Sequence, residues 1–415
     1  MNKFFVATCM IAMSIFSAFA QQDVEMSRQG LTKLGFENVR ILRNCDTVYA
    51  SVEDPSFRGT FRGGAKALEL LAASFPDVSY YELLLEEYGC SKVCVHASEE
   101  DGKWRVSVNY DVEKTKRLLK QMEGVKSPYG KIDISLIPII SLANNKYDRL
   151  FDVGIFFAPS FSTSLWKGNR IIVQPIIPLY TNYDKTVSEA DKTTLSVSYY
   201  SNPRRQVRLG VAAISQELME NDKWSAKVAA GSFYQNVVGL YGELGYHFNE
   251  NLDLGVHAGY SYTSLFYDQK WYIGSPTMCN IMAKATYYEP VSSVQIELQG
   301  GRFMYGDWGG RLDLTRHFGE YAIGVYGILT GGEHNGGFHF AIPFGGKRQK
   351  RDGVFRIKAP EYYDMQYSMV SYYRYVWEKM GREFEEIPDK NRSAHYWQAK
   401  YIERYIQKML NGSFE

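Results

Sequence analysis

Histidines and carboxylates fall at spacings that a single hairpin would turn into facing pairs. Between Leu240 and Tyr262 one parity holds Leu240, Leu244, Tyr246 and Phe248, then Leu252, Leu254, Val256, Ala258, Tyr260 and Tyr262 beyond Asn249-Glu250-Asn251. The other parity holds Glu243, His247, Asp253, His257 and Ser261. Strand side chains alternate between faces, so the apolar and charged sets separate. A symmetric turn at Asn249–Asn251 places His247 opposite Asp253 and Glu243 opposite His257, within reach of cross-strand hydrogen bonds or charged contacts. Such pairs make either a pH-sensitive or sugar-binding constriction, or a solvated wall whose contacts fix strand register. The wall is the commoner role on polar-lined sheets. Acid–base catalysis would need a third group and a substrate pocket, which the spacing does not supply.

Glu297 occupies the charged parity of a later strand, between Ile296 and Leu298. At Tyr305-Gly306-Asp307-Trp308-Gly309-Gly310 an acid and an indole could hold a sugar by hydrogen bonding and stacking. A Gly-rich turn between strands is the more frequent use of such a run. The candidates for substrate contact are therefore Glu243, His247, Asp253, His257, Glu297, Asp307 and Trp308, with no catalytic residue expected. No His-Glu-x-x-His, Gly-x-Ser-x-Gly or Rossmann fingerprint occurs in the chain. Gly345-Gly346-Lys347-Arg348-Gln349-Lys350-Arg351 lacks the P-loop spacing and reads as a basic collar near anionic lipid or a partner surface. Cys90-x-x-x-Cys94 has no His or Cys pair nearby to complete a four-ligand set, so neither metal nor cofactor is expected.

The elements that would position these residues are mostly strands. From Lys131 to Phe344 the same alternation recurs: Phe151, Val153, Ile155 and Phe157 against Asp152, or Val294, Ile296 and Leu298 against Gln295, Glu297 and Gln299. The first residues fit a secretory leader, with Lys3, an apolar run from Phe4 to Phe16 and Ala18-Phe19-Ala20 before Gln21. No later run approaches the roughly 18 apolar residues of a spanning helix, whereas a barrel strand needs only about 9–11 per crossing. With 32 Tyr and 36 Gly and a formal charge of +1, the chain suits an exported barrel and gives no sign of a nucleic-acid partner. The expected fold is mainly β: a transmembrane antiparallel barrel over 128–346. About thirteen strands can be counted. Barrels of this type use even numbers, so twelve are expected if Lys131–Ser141 is not a wall strand, with fourteen the alternative. Inward glycines such as Gly210, Gly255 and Gly259 leave room for a channel or a plug.

Residues 21–127 read as a small α+β domain, with helices over Val24–Leu34 and Gly63–Ala73 and strands near Val39–Leu42, Thr47–Val52, Tyr80–Glu86, Ser91–Ala97 and Trp104–Val112. At most one disulfide is expected there, Cys45 with Cys90 or Cys94, as an oxidising compartment permits. The tail from 347 to 415 reads as helical, over Asp364–Arg382 and His395–Leu410, with Tyr396, Ala399, Ile402, Tyr405 and Ile406 on one face.

The segment Gly301-Arg302-Phe303-Met304-Tyr305-Gly306-Asp307-Trp308-Gly309-Gly310, continuing through Arg311-Leu312-Asp313-Leu314-Thr315-Arg316-His317-Phe318, resembles the YjbH family of outer-membrane proteins associated with exopolysaccharide production. The Ala322–Gly331 and Gly337–Phe344 stretches continue the similarity. The resemblance implies an outer-membrane location, and an even strand number puts both terminal regions in the periplasm. Strand pattern and resemblance together lead to the expectation of a non-enzymatic role in exopolysaccharide export or surface handling. The partners expected are outer-membrane lipid, polysaccharide and periplasmic proteins of a secretion apparatus. Rival readings are a general diffusion porin, an outer-membrane enzyme with an inward Glu/His site, and a structural tether.

Overall fold

Repeated alternation between residues 132 and 343 builds one large antiparallel sheet, and a shorter set of strands near the N-terminus builds a second. The computed structural model describes residues 22–57, 60–100, 102–120, 129–143, 152–183, 203–233, 237–267, 269–344, 351, 353–360, 362–368, 375, 380–384 and 396–412. The leader read at residues 1–20 lies outside them. The chain divides into two compact units: Met1–Pro128 with Gly346–Lys350 and Trp397–Glu415, and Tyr129–Gly345 with Arg351–Tyr396.

In the first unit a helix over residues 22–34 (α1) stops at Gly35, whose φ of 103° lies in the left-handed region that glycine enters without strain. Strands β1 (Glu37–Asn44), β2 (Thr47–Glu53), β3 (Tyr80–Glu87), β4 (Cys90–Glu100) and β5 (Lys103–Asn109) form a sheet in sequence order. Only β2 and β3 run parallel, and helix α2 (Arg62–Ser74) supplies the crossover that a parallel pair needs. A short helix α3 (Glu113–Lys120) follows β5. The second tail helix forms over Ala399–Leu410 (α4) and buries Ile402 and Ile406 against this unit. It packs on β5 and α2, and the Asn411 side chain exchanges hydrogen bonds with the Trp104 backbone at 2.9 and 3.1 Å. The C-terminal helix thus completes the N-terminal core.

The expected disulfide does not form, and all four described cysteines are free. Cys45 is exposed in the β1–β2 turn, at the end of the sheet where Thr47 pairs with Tyr80 and Tyr80 with Ser98. Cys90 pairs with Glu87 at the opposite end, and Cys94 is buried mid-strand opposite Leu84. Strand geometry keeps the three sulfurs apart.

The second unit opens with β6 (Ile132–Ala143), β7 (Asp152–Thr163), β8 (Asn169–Thr181) and β9 (Arg208–Glu220). It continues through β10 (Trp224–Phe233), β11 (Val237–His247), β12 (Leu252–Tyr267), β13 (Lys270–Glu289) and β14 (Val294–Arg302). The last long strands are β15 (Trp308–Phe318), β16 (Tyr321–Thr330) and β17 (Glu333–Pro343). These twelve pair antiparallel in sequence order, and short strands β18 (Phe355–Lys358) and β19 (Tyr362–Ser368) join the two ends to make fourteen. Among the described residues the hydrogen-bonded ladder is not closed as a barrel.

Two expectations change. Lys131–Ser141 is a sheet strand, β6; its alternation is blurred because Ile137 on its inner side is itself buried, against Phe156, Ala158 and Ile176. The helix expected over Asp364–Arg382 is instead strand at its start, where β19 pairs with β17 and β18 runs parallel to β6. Asp133 holds that parallel pair by accepting from both Arg351 and Arg356 at 2.5 Å. β12 runs to Tyr267 and β13 starts at Lys270, so most of residues 262–279 is strand. The connection after β8 leaves from that same end, since β8 and β9 are paired neighbours.

The two faces differ in kind. On one, Leu240, Leu298, Val325 and Leu329 are 64%, 57%, 53% and 62% exposed, with Leu254, Val256, Leu312 and Leu314 beside them. The other carries most of the charged side chains of the strands, among them Lys227, Glu243, Lys284, Glu297 and Asp313.

Candidate functional site

The turn at Asn249–Asn251 is symmetric, as its composition predicts. The Asn249 carboxamide oxygen accepts from the Asn251 and Leu252 N–H groups, each at 2.9 Å, and this fixes the register of β11 on β12. His247 stands opposite Asp253 and Glu243 opposite His257. The first pair is direct, with His247 Nδ1 2.7 Å from Asp253 Oδ1; Glu220 lies 3.7 Å from the other ring nitrogen. The second pair shares a register position, but each member takes a different ionic partner. Glu243 turns to Lys227 at 3.2 Å, and His257 to Glu383 at 3.6 Å.

The charged face continues strand by strand. Lys227 on β10 pairs in register with Glu243 on β11, Thr286 on β13 with Glu297 on β14, and Glu297 with Asp313 on β15. Glu297 accepts from Lys284 at 2.9 Å and from Gln299 at 2.6 Å. Asp313 accepts from Arg311 at 2.9 Å and meets His339 at 3.0 Å. The result is a belt of alternating charge in which these carboxylates each face a cation or imidazole. A cavity of about 320 Å³ opens on the belt, lined by Glu217, Glu220, Lys227, Lys284 and Thr286 together with Glu243, His247, Asp253 and His257. Its paired acceptors and donors can hydrogen-bond to hydroxyl groups.

Five expected residues therefore gather on one wall: Glu243, His247, Asp253, His257 and Glu297. Asp307 lies on the turn between β14 and β15 and accepts from Thr330 Oγ1 at 2.6 Å and from the Gly381 N–H at 2.7 Å. Tyr305–Asp307 is the turn that its glycine predicts, closed by the Phe303 N–H on the Asp307 carbonyl at 2.8 Å. Trp308 does not join the group. It shares the parity of Leu312 and Leu314 and stands exposed on the apolar face. Lys227, Asp313 and His339 were visible in the alternation as polar positions, and the register that links them to the belt was not. Of the basic collar at 345–351 only Arg351 is described, and it is bound to Asp133.

The first unit holds a second cluster. Glu82, Cys94 and His96 present ligand atoms within 4.8 Å of one another. Cys94 and His96 share a parity on β4, and Glu82 is the register partner of His96 on β3. Spacing along the sequence alone missed Glu82, which lies on the neighbouring strand. These three could hold a cation, but Glu82 is already bound by Thr115 at 2.5 Å, Lys114 at 3.5 Å and His96 at 3.8 Å. Burial pushes the Cys94 thiol up to about 12, which opposes the thiolate a metal would need.

A family described as YjbH, exopolysaccharide biosynthesis protein YbjH, matches residues 15–345. No curated protein and no solved structure matches the chain.

Proposed function

We propose, for a chain that belongs to the YjbH exopolysaccharide biosynthesis family, that β6–β19 form a barrel in the outer membrane. In this reading the protein assists export or surface handling of an exopolysaccharide without catalysing a reaction. The observation that carries it is the exposed apolar face. Monomeric soluble proteins rarely expose contiguous apolar patches beyond a few hundred Å², and here one spans the sheet strand after strand. Most long strands have 10–13 residues, which matches the length of a tilted crossing.

Aromatic side chains support the same placement. Trp224, Tyr246, Phe248, Tyr287, Phe318, Tyr321 and Phe344 crowd the end of the sheet that carries the short turns at 221–223, 248–251, 290–293 and 319–320. Trp224 and Tyr246 pack 4.7 Å apart there. Tyr180, Tyr260, Tyr262 and Trp308 stand toward the other end. Two aromatic girdles around an apolar band are what the interfaces of an outer membrane select. The charged belt would then line the lumen, where paired groups offer hydrogen bonds to a hydroxyl-rich polymer. The short-turn end would face the periplasm, where a secretion apparatus would be the partner.

Deleting the gene and restoring it on a plasmid tests this. Surface polysaccharide should fall or change in linkage on deletion and recover on complementation. Unchanged amount and linkage would sink the reading.

A further inference from the structure

One stretch of the tail lies against the charged face, and the wall is shaped to receive it. The Phe384 ring packs on Phe233 and Tyr241 with centroids 5.4 and 5.3 Å away. It lies over Gly259, where a Cβ would come within 2.3 Å of the ring. Glu383 meets His257, and the Arg382 carbonyl accepts from the Met304 N–H at 2.9 Å. Gly381, at φ +68°, donates its N–H to Asp307, and Met380 sits where a Cβ on Gly331 would clash at 2.1 Å. Tyr375 adds to the cluster of Met282, Phe303 and Ile328. Residues 233, 241, 257, 259 and 282 share the parity of Lys227, Glu243 and Lys284, so the whole assembly stands on the polar side.

We propose that Met380–Phe384 is a plug: it occupies the path along the polar wall and must leave before polymer can pass. The proposal rests on the barrel and export reading above, and it adds how that path is regulated. The contacts fit a reversible closure. Among the described residues they include the Met304–Arg382 and Gly381–Asp307 hydrogen bonds, the Glu383–His257 ion pair and the slot for Phe384, and Met380–Phe384 is not strand there. The groups that hold it, Asp307, His257 and Tyr241, are also groups that can hydrogen-bond to or stack on a sugar ring. An incoming polymer would therefore compete for the same sites, and its binding would shift the segment from the docked to the released position.

Planar-bilayer recordings on the full chain test the plug. Wild type should be mostly closed, whereas Phe384→Ala and Gly259→Val should each raise the mean current several-fold. Glu383→Gln, the gentlest change, should raise it less. Gly259→Val decides the sign, because it adds bulk to the wall. If the segment were passive lining, that substitution would lower the current; as a plug it is expelled, and the current rises. A heat-dependent shift in gel mobility confirms that each variant has folded. Folded variants that conduct like wild type, or a lowered current in Gly259→Val, overturn the plug and leave the barrel standing. Failure of refolded wild type to insert into any bilayer overturns the barrel reading, and the plug with it.

Discussion

An arginine placed at Val325 separates a membrane-facing sheet from a water-facing one. Val325 is half exposed in the middle of β16, a strand of 10 residues whose outward positions are Tyr321, Ile323, Val325, Gly327 and Leu329. At ~3.4 Å per residue, tilted by ~45°, the strand spans about 24 Å, close to the full height of an outer-membrane apolar band. Val325 then lies near the midplane, while Tyr321 and Leu329 approach the two interfaces. Its register partners are Leu314 on β15 and Phe338 on β17, which offer a guanidinium no partner. Val325→Arg should cost ~2–4 kcal/mol, against ~0–1 kcal/mol for Tyr321→Arg and Leu329→Arg. The central change corresponds to roughly a 30- to 1,000-fold loss in the folding equilibrium. If the face met water, all three would fall within about 0.5 kcal/mol, as exposed substitutions do. Urea titration of folding into phospholipid vesicles, followed by tryptophan fluorescence, measures the series. A flat series, with no maximum at Val325, refutes the reasoning.

The first unit invites three further tests. Ile406→Ala empties a fully buried site on α4 beside Gly64 and Leu85, and should destabilise that unit by ~2–5 kcal/mol; chemical denaturation that leaves its transition unmoved would detach α4 from the core. Maleimide near neutral pH should label exposed Cys45 and spare Cys94, which is buried with its thiol pushed up to about 12; equal labelling of native protein, read by mass spectrometry, contradicts the burial. Burial raises the Glu86 carboxyl, opposed by Arg40 at 3.6 Å and by Ser91. Because the folded state favours the protonated form, this contribution is present below the ordinary carboxylate range and is lost as pH rises through the raised value. Glu86→Gln should remove that loss, so its melting temperature gains on wild type from acid toward neutral pH. A constant difference between the two curves tells against it.

Local pattern and distant contact account for different parts of this molecule. The hairpin from Val237 to Tyr267 was legible because everything it needs is nearby: a two-residue period, a turn capped by Asn249, and charged residues on one parity only. β6 was ambiguous because Ile137 and its neighbours make both of its faces apolar, so parity no longer distinguishes them. The tail shows the limit more sharply. Ile402 and Ile406 announce a helix by their spacing, but the surface they cover belongs to α2 and β5, made some three hundred residues earlier. Tyr362–Ser368 has no decisive period of its own and becomes strand because the edge of β17 is there to pair with it. Met380–Phe384 carries no period at all, and Gly259 and Gly331 on the opposing wall record that something lies there. Alternation along each strand thus decides which face meets which solvent. What stands against the charged face is decided by glycines and aromatics far from it in the chain. A relative that keeps the alternation but carries a bulky side chain at the position of Gly259 would share this wall and could not share its closure.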